Sequence, residues 1–294
     1  MTYRELYLVG KEKLTGAGIA DAGCDARLLL EHVCGTDANE LLAHPDRPVG
    51  EENRRRYLEL LGRRESRIPL QYLTGVQGFM GLDFLVNETV LIPRQDTEIL
   101  VEEVLRNLHD GMTILDLGTG SGCILISLMR YSNDCEGLGV DLSAEAISTA
   151  EENARRLVPE CVRQGKDGKS RLRFVESDLY RRVEGRFDVV VSNPPYIPSG
   201  VIGSLMPEVR DHEPLRALDG GGDGLLFYRR ILSGIGEHLK GGGMLFLEIG
   251  HDQGQAVSEL VEQAGFLEVC VTKDYAGQDR VVSGVRSVCS DAGM

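Results

Sequence analysis

Asn193-Pro194-Pro195-Tyr196 is the stretch of this sequence whose residue types most directly imply chemistry. It follows a run with a buried-strand pattern, Phe187-Asp188-Val189-Val190-Val191-Ser192. Two consecutive prolines remove two backbone N–H donors and push the preceding residue toward extended geometry. The expected result is a rigid, open loop at a strand end. It offers an amide side chain, free carbonyls and an aromatic face. Such a loop suits a planar group bearing an NH2, either a carboxamide or an exocyclic base amine.

A second candidate lies upstream, in Asp116-Leu117-Gly118-Thr119-Gly120-Ser121-Gly122. Glycines here let the backbone turn sharply and approach a ligand closely. The spacing is G-x-G-x-G, so the third glycine comes one residue early for a dinucleotide fingerprint. The loop gains weight from its place between a strand and a helix, and from Asp141, nineteen residues beyond Gly122. A carboxylate at the end of the second strand can accept hydrogen bonds from both ribose hydroxyls. The competing reading of Asp141 is a helix cap. Ser143 can serve as that cap, which frees Asp141.

The elements that must position these residues form three stretches. Residues 1–72 read as helices. Thr2 with Glu5, and Asp37 with Glu40, have capping-box spacing, and Gly35 stops the apolar run Ala26 to Val33. Arg54, Arg55, Arg56, Arg63, Arg64 and Arg67 are interleaved with glutamates and read as a solvated helix face. Residues 73–95, punctuated by Gly75, Gly78 and Gly81, read as a β-hairpin linker. From residue 96 a helix is followed by alternating strands and helices, the pattern of a mostly parallel, doubly wound sheet. Ligands of such sheets bind at the carboxyl ends of the strands. Gly220-Gly221-Gly222 and Gly241-Gly242-Gly243 read as turns.

Composition narrows the options. The chain has 294 residues, 42% of them hydrophobic, which is ordinary for globular proteins. No apolar run reaches the length of a membrane helix, and the first residues lack a signal-peptide pattern. Seven cysteines without paired spacing fit reduced thiols in a cytoplasm better than disulfides or a zinc site. A formal net charge of −14 argues against duplex nucleic acid as the main partner.

Residues 111–286 resemble the class I S-adenosylmethionine-dependent methyltransferases. The resemblance implies that Gly118, Thr119, Gly120, Ser121, Gly122, Asp141 and Asn193 bind S-adenosylmethionine, with Asp178 near the adenine. Asn193-Pro194-Pro195-Tyr196 resembles the signature of methyltransferases that act on amide or exocyclic amine nitrogens. Asn193, Pro194 and Tyr196 are then the catalytic residues, and Pro195 completes the substrate loop. The Asn193 side-chain oxygen and the Pro194 carbonyl would accept the N–H groups and stabilise positive charge developing on nitrogen. Tyr196 would stack on the planar group. Positioning of this kind can supply roughly 7–11 kcal/mol, and no metal is required.

Over nearly its whole length the chain resembles the protein-glutamine methyltransferases that modify peptide chain release factors. The matching stretches include Arg67-Ile68-Pro69-Leu70-Gln71-Tyr72, Leu91-Ile92-Pro93-Arg94 with Thr97-Glu98, and Glu213-Pro214. Others are Gly220-Gly221-Gly222-Asp223-Gly224-Leu225, Glu248-Ile249-Gly250 with Gln253, and Asp279-Arg280-Val281-Val282. The resemblance implies methyl transfer to the glutamine amide of the Gly-Gly-Gln loop of a class-I release factor. It also implies a helical docking domain over residues 1–72 and a methyltransferase domain over 96–294. Two departures are visible: Gln95-Asp96 where family members often carry Glu, and Leu179 where some place an aromatic residue. Two enzymatic alternatives share the loop: a glutamine methyltransferase of a ribosomal protein, and adenine-N6 nucleic-acid methyltransferases. A non-catalytic module that kept the fold is a third.

Overall fold

The computed structural model describes residues 1–164 and 170–288. Cys289 and the last residues of the expected methyltransferase domain lie outside that range. The chain divides into two compact units, Met1–Val76 with Met206–His212, and Gln77–Leu205 with Glu213–Met294. No helix among the described residues is long and apolar enough to cross a membrane.

The first unit is helical: α1 Tyr3–Gly16, α2 Ala22–Cys34, α3 Ala38–Ala43, α4 Glu51–Glu65 and α5 Leu70–Thr74. Thr2 and Glu5 close a reciprocal capping box at α1, each side chain meeting the other's backbone N–H at 3.3 and 2.9 Å. Gly35, at φ 61°, ends α2 in the left-handed conformation that favours glycine. Leu6, Leu14, Leu29, Leu30, Tyr57 and Leu61 form the core.

The arginines of α4 and its exit divide into two kinds. Arg54 and Arg55 pair with Glu51 and Glu52 on the exposed face, as expected. Arg64 does not. It shares the buried stripe of Tyr57, Leu60 and Leu61. Its guanidinium lies 2.7 Å from Asp25 and 3.1 Å from Glu208, and Arg67 also reaches Glu208 at 3.1 Å. A charge on a core stripe persists only when it is paired. Sequence shows the spacing of Arg64 but not its partner, which stands 144 residues away.

The chain then forms the hairpin β1 Val76–Phe79 and β2 Leu82–Leu85, followed by α6 Glu98–Asn107. There follow β3 Thr113–Leu117, α7 Cys123–Tyr131, β4 Glu136–Asp141, α8 Ala144–Leu157, β5 Leu172–Glu176 and β6 Phe187–Ser192. The last elements are α9 Leu226–His238, β7 Leu239–Glu248, α10 Gly254–Gln263, β8 Phe266–Lys273 and β9 Asp279–Arg286. The larger sheet has seven strands in the order β5-β4-β3-β6-β7-β9-β8. Its first five strands run parallel, and β9 is antiparallel to both β7 and β8. This is a class I methyltransferase fold. Alternate residues feed opposite faces: Ile114, Val189 and Val191 enter one core, and Leu115, Leu117 and Val190 the other.

One expectation fails. Gly241-Gly242-Gly243 is not a turn but lies within β7. Glycines weaken strand propensity, and these three form the irregular stretch of β7: Leu239 pairs with Phe187 and Met244 with Val189, so the glycines bulge between the two pairings. Gly243 shows why a side chain is excluded there. A Cβ would stand 2.9 Å from the Lys240 carbonyl and 3.0 Å from that of Asp188.

Candidate active site

Strand order brings the two sequence motifs together. β3 lies between β4 and β6. The glycine loop after β3, Asp141 at the end of β4 and Asn193 after β6 therefore emerge side by side at the carboxyl edge of the sheet. Ser192 ties two of these strand ends, its hydroxyl donating to the Leu117 carbonyl at 2.6 Å. A cavity of about 510 Å³ opens there, within the size range of small-molecule sites. Gly118, Thr119, Gly120, Ser121, Asp141, Asn193, Pro194 and Pro195 all line it.

The glycine loop is held from below and left open above. The Gly118 and Thr119 N–H groups both donate to the Val140 carbonyl, at 2.8 and 2.9 Å. Thr119 Oγ1 donates to Asp116 Oδ2 at 2.7 Å. Asp116 is fully buried with Oδ1 unpartnered. Burial pushes its carboxyl up to about 7, opposed by Thr119 and reinforced by the charge of Asp141. Gly118 and Gly120 sit at φ 76° and 55°, where a side chain would be strained. No protein atom lies within 4 Å of where their Cβ atoms would stand. The loop thus leaves room on its cavity side for a ligand.

Gly122 differs from the other two glycines. It does not line the cavity, and a Cβ there would stand 2.8 Å from Ile126 and 3.1 Å from Ala150. Its role is close packing of the α7 start on α8. Asn153, fully buried on α8, fixes the same region. It donates to the Ser121 carbonyl and exchanges two hydrogen bonds with the Leu85 backbone, so hairpin and loop share one anchor.

Asp141 braces both the glycine loop and the turn into α8. Its Oδ2 accepts the Gly120 N–H at 2.9 Å, and its Oδ1 accepts the Ser143 N–H at 2.9 Å. Ser143 caps α8 through Ala146 N at 3.2 Å. Each carboxylate oxygen keeps a further lone pair, and Asp141 lines the cavity. Asp178 and Leu179 also line the cavity, and Asp178 accepts from Arg230 at 2.7 Å. Tyr180 turns away: its ring stacks on His238 at 4.7 Å.

In the proline loop, Asn193 and Pro195 are half-buried at the wall and Pro194 is buried. The Asn193 Nδ2 donates to Thr97 Oγ1 at 3.3 Å. Tyr196 does not line the cavity. It packs on the second core, and its carbonyl accepts from Gln253 at 3.0 Å. Gly220 and Gly224 crowd its backbone so closely that a Cβ on either would overlap it. Burial pushes its phenol above the ordinary range.

Sequence reasoning assigned no role to several residues here. Thr97 and Arg94 line the cavity, and Arg94 Nη2 meets the buried Glu213 at 2.5 Å. Arg216 lines it and donates to Ser143 at 2.7 Å. Arg94, Thr97, Glu213 and Glu248 all fall in the matching stretches quoted above, which was the available signal.

Residues 5–75 match the family model described as PrmC N-terminal domain. Residues 94–206 match the one described as Methyltransferase small domain. The release factor glutamine methyltransferase of Caulobacter vibrioides is 41% identical over 290 residues, covering 98% of this chain and 97% of that protein. The chain belongs to the release factor glutamine methyltransferase family. The Agrobacterium fabrum member is 39% identical, covering 94% of each chain. A solved methyltransferase from Pyrococcus furiosus shares the fold, with a TM-score of 0.51 at 20% identity over 77% of this chain and 99% of that one. As a member of the release factor glutamine methyltransferase family, the chain is an enzyme.

Proposed function

We propose that this enzyme transfers a methyl group from S-adenosylmethionine to the side-chain amide nitrogen of the glutamine in the Gly-Gly-Gln loop of a class-I peptide chain release factor. One observation carries the reading. The glycine loop with Asp141, and Asn193 with Pro194 and Pro195, line a single cavity at adjacent strand ends.

S-adenosylmethionine, when bound, supplies a methyl group already activated on a sulfonium. The residues fit it: Gly118 and Gly120 leave space, Asp141 offers acceptors for ribose hydroxyls, and Asp178 stands beside Leu179 for a purine. The reaction forms an N–C bond at the amide and breaks the donor's S–C bond, and the amide proton leaves to water. The difficulty is the delocalised amide lone pair. Asn193 Nδ2 is engaged by Thr97, which leaves Oδ1 to accept a substrate N–H alongside the Pro194 carbonyl. Both acceptors favour charge developing on that nitrogen. Tyr196, placed outside the cavity lining, anchors the loop rather than stacking on the amide. The helical domain docks the release factor, and the site of action is the cytoplasm.

The test is mass spectrometry of a purified release factor incubated with enzyme and isotopically labelled S-adenosylmethionine. One labelled methyl on the Gly-Gly-Gln glutamine is expected. A methyl placed elsewhere, or only on a ribosomal protein or on DNA, overturns the substrate.

A further inference from the structure

Glu248 is the last residue of β7 and takes no part in the cavity lining. The parallel register pairs Ser192 with Leu247, so Asn193 and Glu248 leave the sheet as neighbours. Glu248 is 1% exposed, and its Oε2 has no hydrogen-bond partner. The Thr97 hydroxyl and the Asn193 amide both face this carboxyl and favour its charged form. Thr97 is itself 2% exposed and accepts the Asn193 N–H at 3.3 Å.

We propose that Glu248, acting with Thr97, is a positioning residue that decides which end of the Asn193 amide faces the substrate. The inference rests on the reading that the reacting group is an N–H donor. The two ends of an asparagine amide have nearly the same shape, so packing alone barely distinguishes them. A carboxylate distinguishes them sharply, because it only accepts hydrogen bonds. With Nδ2 inward, N–H groups meet Thr97 and Glu248. With the amide flipped, Oδ1 meets a buried carboxylate, and the N–H groups face a substrate nitrogen that is also a donor. Only the first arrangement presents an acceptor to the nitrogen that must be held.

The arrangement depends on protonation. A protonated Glu248 gains an O–H donor and accommodates either end of the amide. Burial pushes this carboxyl up to about 7; Thr97, Arg280 and Asn193 oppose that shift and Asp96 adds to it. The other titratable groups facing it are Tyr196, Tyr228 and Cys123, all held neutral by burial. The competent orientation is therefore present at alkaline pH and is lost as pH falls through the Glu248 titration.

Two measurements test this. In free enzyme labelled with [15N]asparagine, the Asn193 side-chain resonance, assigned by its absence in Asn193→Ser, is expected to titrate between about pH 5.5 and 8.5. That titration disappears in Glu248→Gln. A pH-invariant resonance, or an unchanged titration in Glu248→Gln, overturns the proposal without reference to any substrate. With a release factor the wild-type enzyme methylates, Glu248→Gln and Thr97→Val are expected to lower kcat about tenfold or more. KM and S-adenosylmethionine affinity stay within about threefold, and Thr97→Ser, which keeps the hydroxyl, restores turnover. Should Glu248→Gln fold poorly, the Thr97 pair and the wild-type resonance decide the question. Wild-type kcat in Thr97→Val, or no rescue by Thr97→Ser, overturns the proposal. Absence of methylation by the wild-type enzyme would instead count against the proposed function.

Discussion

Asp141 Oδ2 accepts the Gly120 N–H at 2.9 Å, joining the end of β4 to the crest of the loop after β3. The same carboxylate receives the Ser143 N–H through its other oxygen. It therefore fixes the loop's shape while lining the cavity. Asp141→Asn keeps one acceptor but turns an NH2 toward an N–H. We expect S-adenosylmethionine affinity to fall about 10–100-fold, on the order of 1–3 kcal/mol. Isothermal titration calorimetry measures this directly; unchanged affinity would contradict the role.

Gly118 and Gly122 carry similar positive φ angles, 76° and 81°, in different surroundings. Gly118→Ala meets no atom within 4 Å, whereas Gly122→Ala meets Ile126 at 2.8 Å and Ala150 at 3.1 Å. Backbone strain of about 1–3 kcal/mol applies to both, and overpacking adds a similar amount at Gly122. Gly122→Ala should lower the thermal midpoint more, and Gly118→Ala should weaken S-adenosylmethionine binding more. The reverse ranking in paired calorimetry and thermal melts would refute the assignment.

Asn193→Ala removes the acceptor proposed for the substrate nitrogen. By analogy with the loss of one preorganised group, kcat should fall by at least roughly 10²–10³-fold. Cofactor affinity should change little, because the glycine loop and Asp141 are untouched. Single-turnover methylation with a release factor checks this, and wild-type turnover would rule the role out.

Arg64 in the helical unit bridges Asp25 and Glu208, each side chain close to one-tenth exposed. Arg64→Met leaves Asp25 a buried charge without that partner, which typically costs about 3–5 kcal/mol. Adding Asp25→Asn should recover part of the loss. Urea denaturation of both variants tests the pair. Additive losses in the double variant would show that the two side chains are not coupled.

Stability should fall as pH rises from about 4 to 7, against the usual trend for carboxylates. Burial raises the Asp116 and Glu248 carboxyls to about 7 in the folded chain. They stay protonated in the fold after the unfolded chain has released its protons, so the unfolded state gains relative weight through that window. Two shifts of this size are worth on the order of a few kcal/mol. Below about pH 4 the sign reverses. At Asp188 burial is outweighed by hydrogen bonds from Lys240 and Thr113, and at Glu208 by its backbone, Arg67 and Arg64, holding both carboxyls low. Chemical denaturation across the range reads the profile; a monotonic rise from pH 4 to 7 would contradict it.

Local signals carried much of this protein. Thr2 with Glu5, Gly35 and the apolar runs from Thr113 onward specify their elements because capping, left-handed φ and continuous apolar strand runs act over a few residues. The triple glycine reads as a turn for the same reason; it is the bulge of β7 between the pairings of Leu239 with Phe187 and of Met244 with Val189, which only the assembled sheet defines. Asn193, Gly118, Gly120 and Asp141 were legible as candidate site residues from type and spacing, and all four line the cavity.

Their relation to one another was not legible, because strand order is a long-range property. β3 lies between β4 and β6 only once the sheet has assembled, and that placement alone makes one cavity of two motifs. Tertiary structure also moved Tyr196 off the cavity wall, divided the roles of Gly118 and Gly122, and gave Arg64 its buried partners. It set Glu248 and Thr97 against Asn193 from segments 151 residues apart in sequence, the separation of positions 97 and 248. The sequence by itself determined which chemical groups were available. The fold decided which of them meet, because burial and hydrogen-bond satisfaction are settled between distant segments.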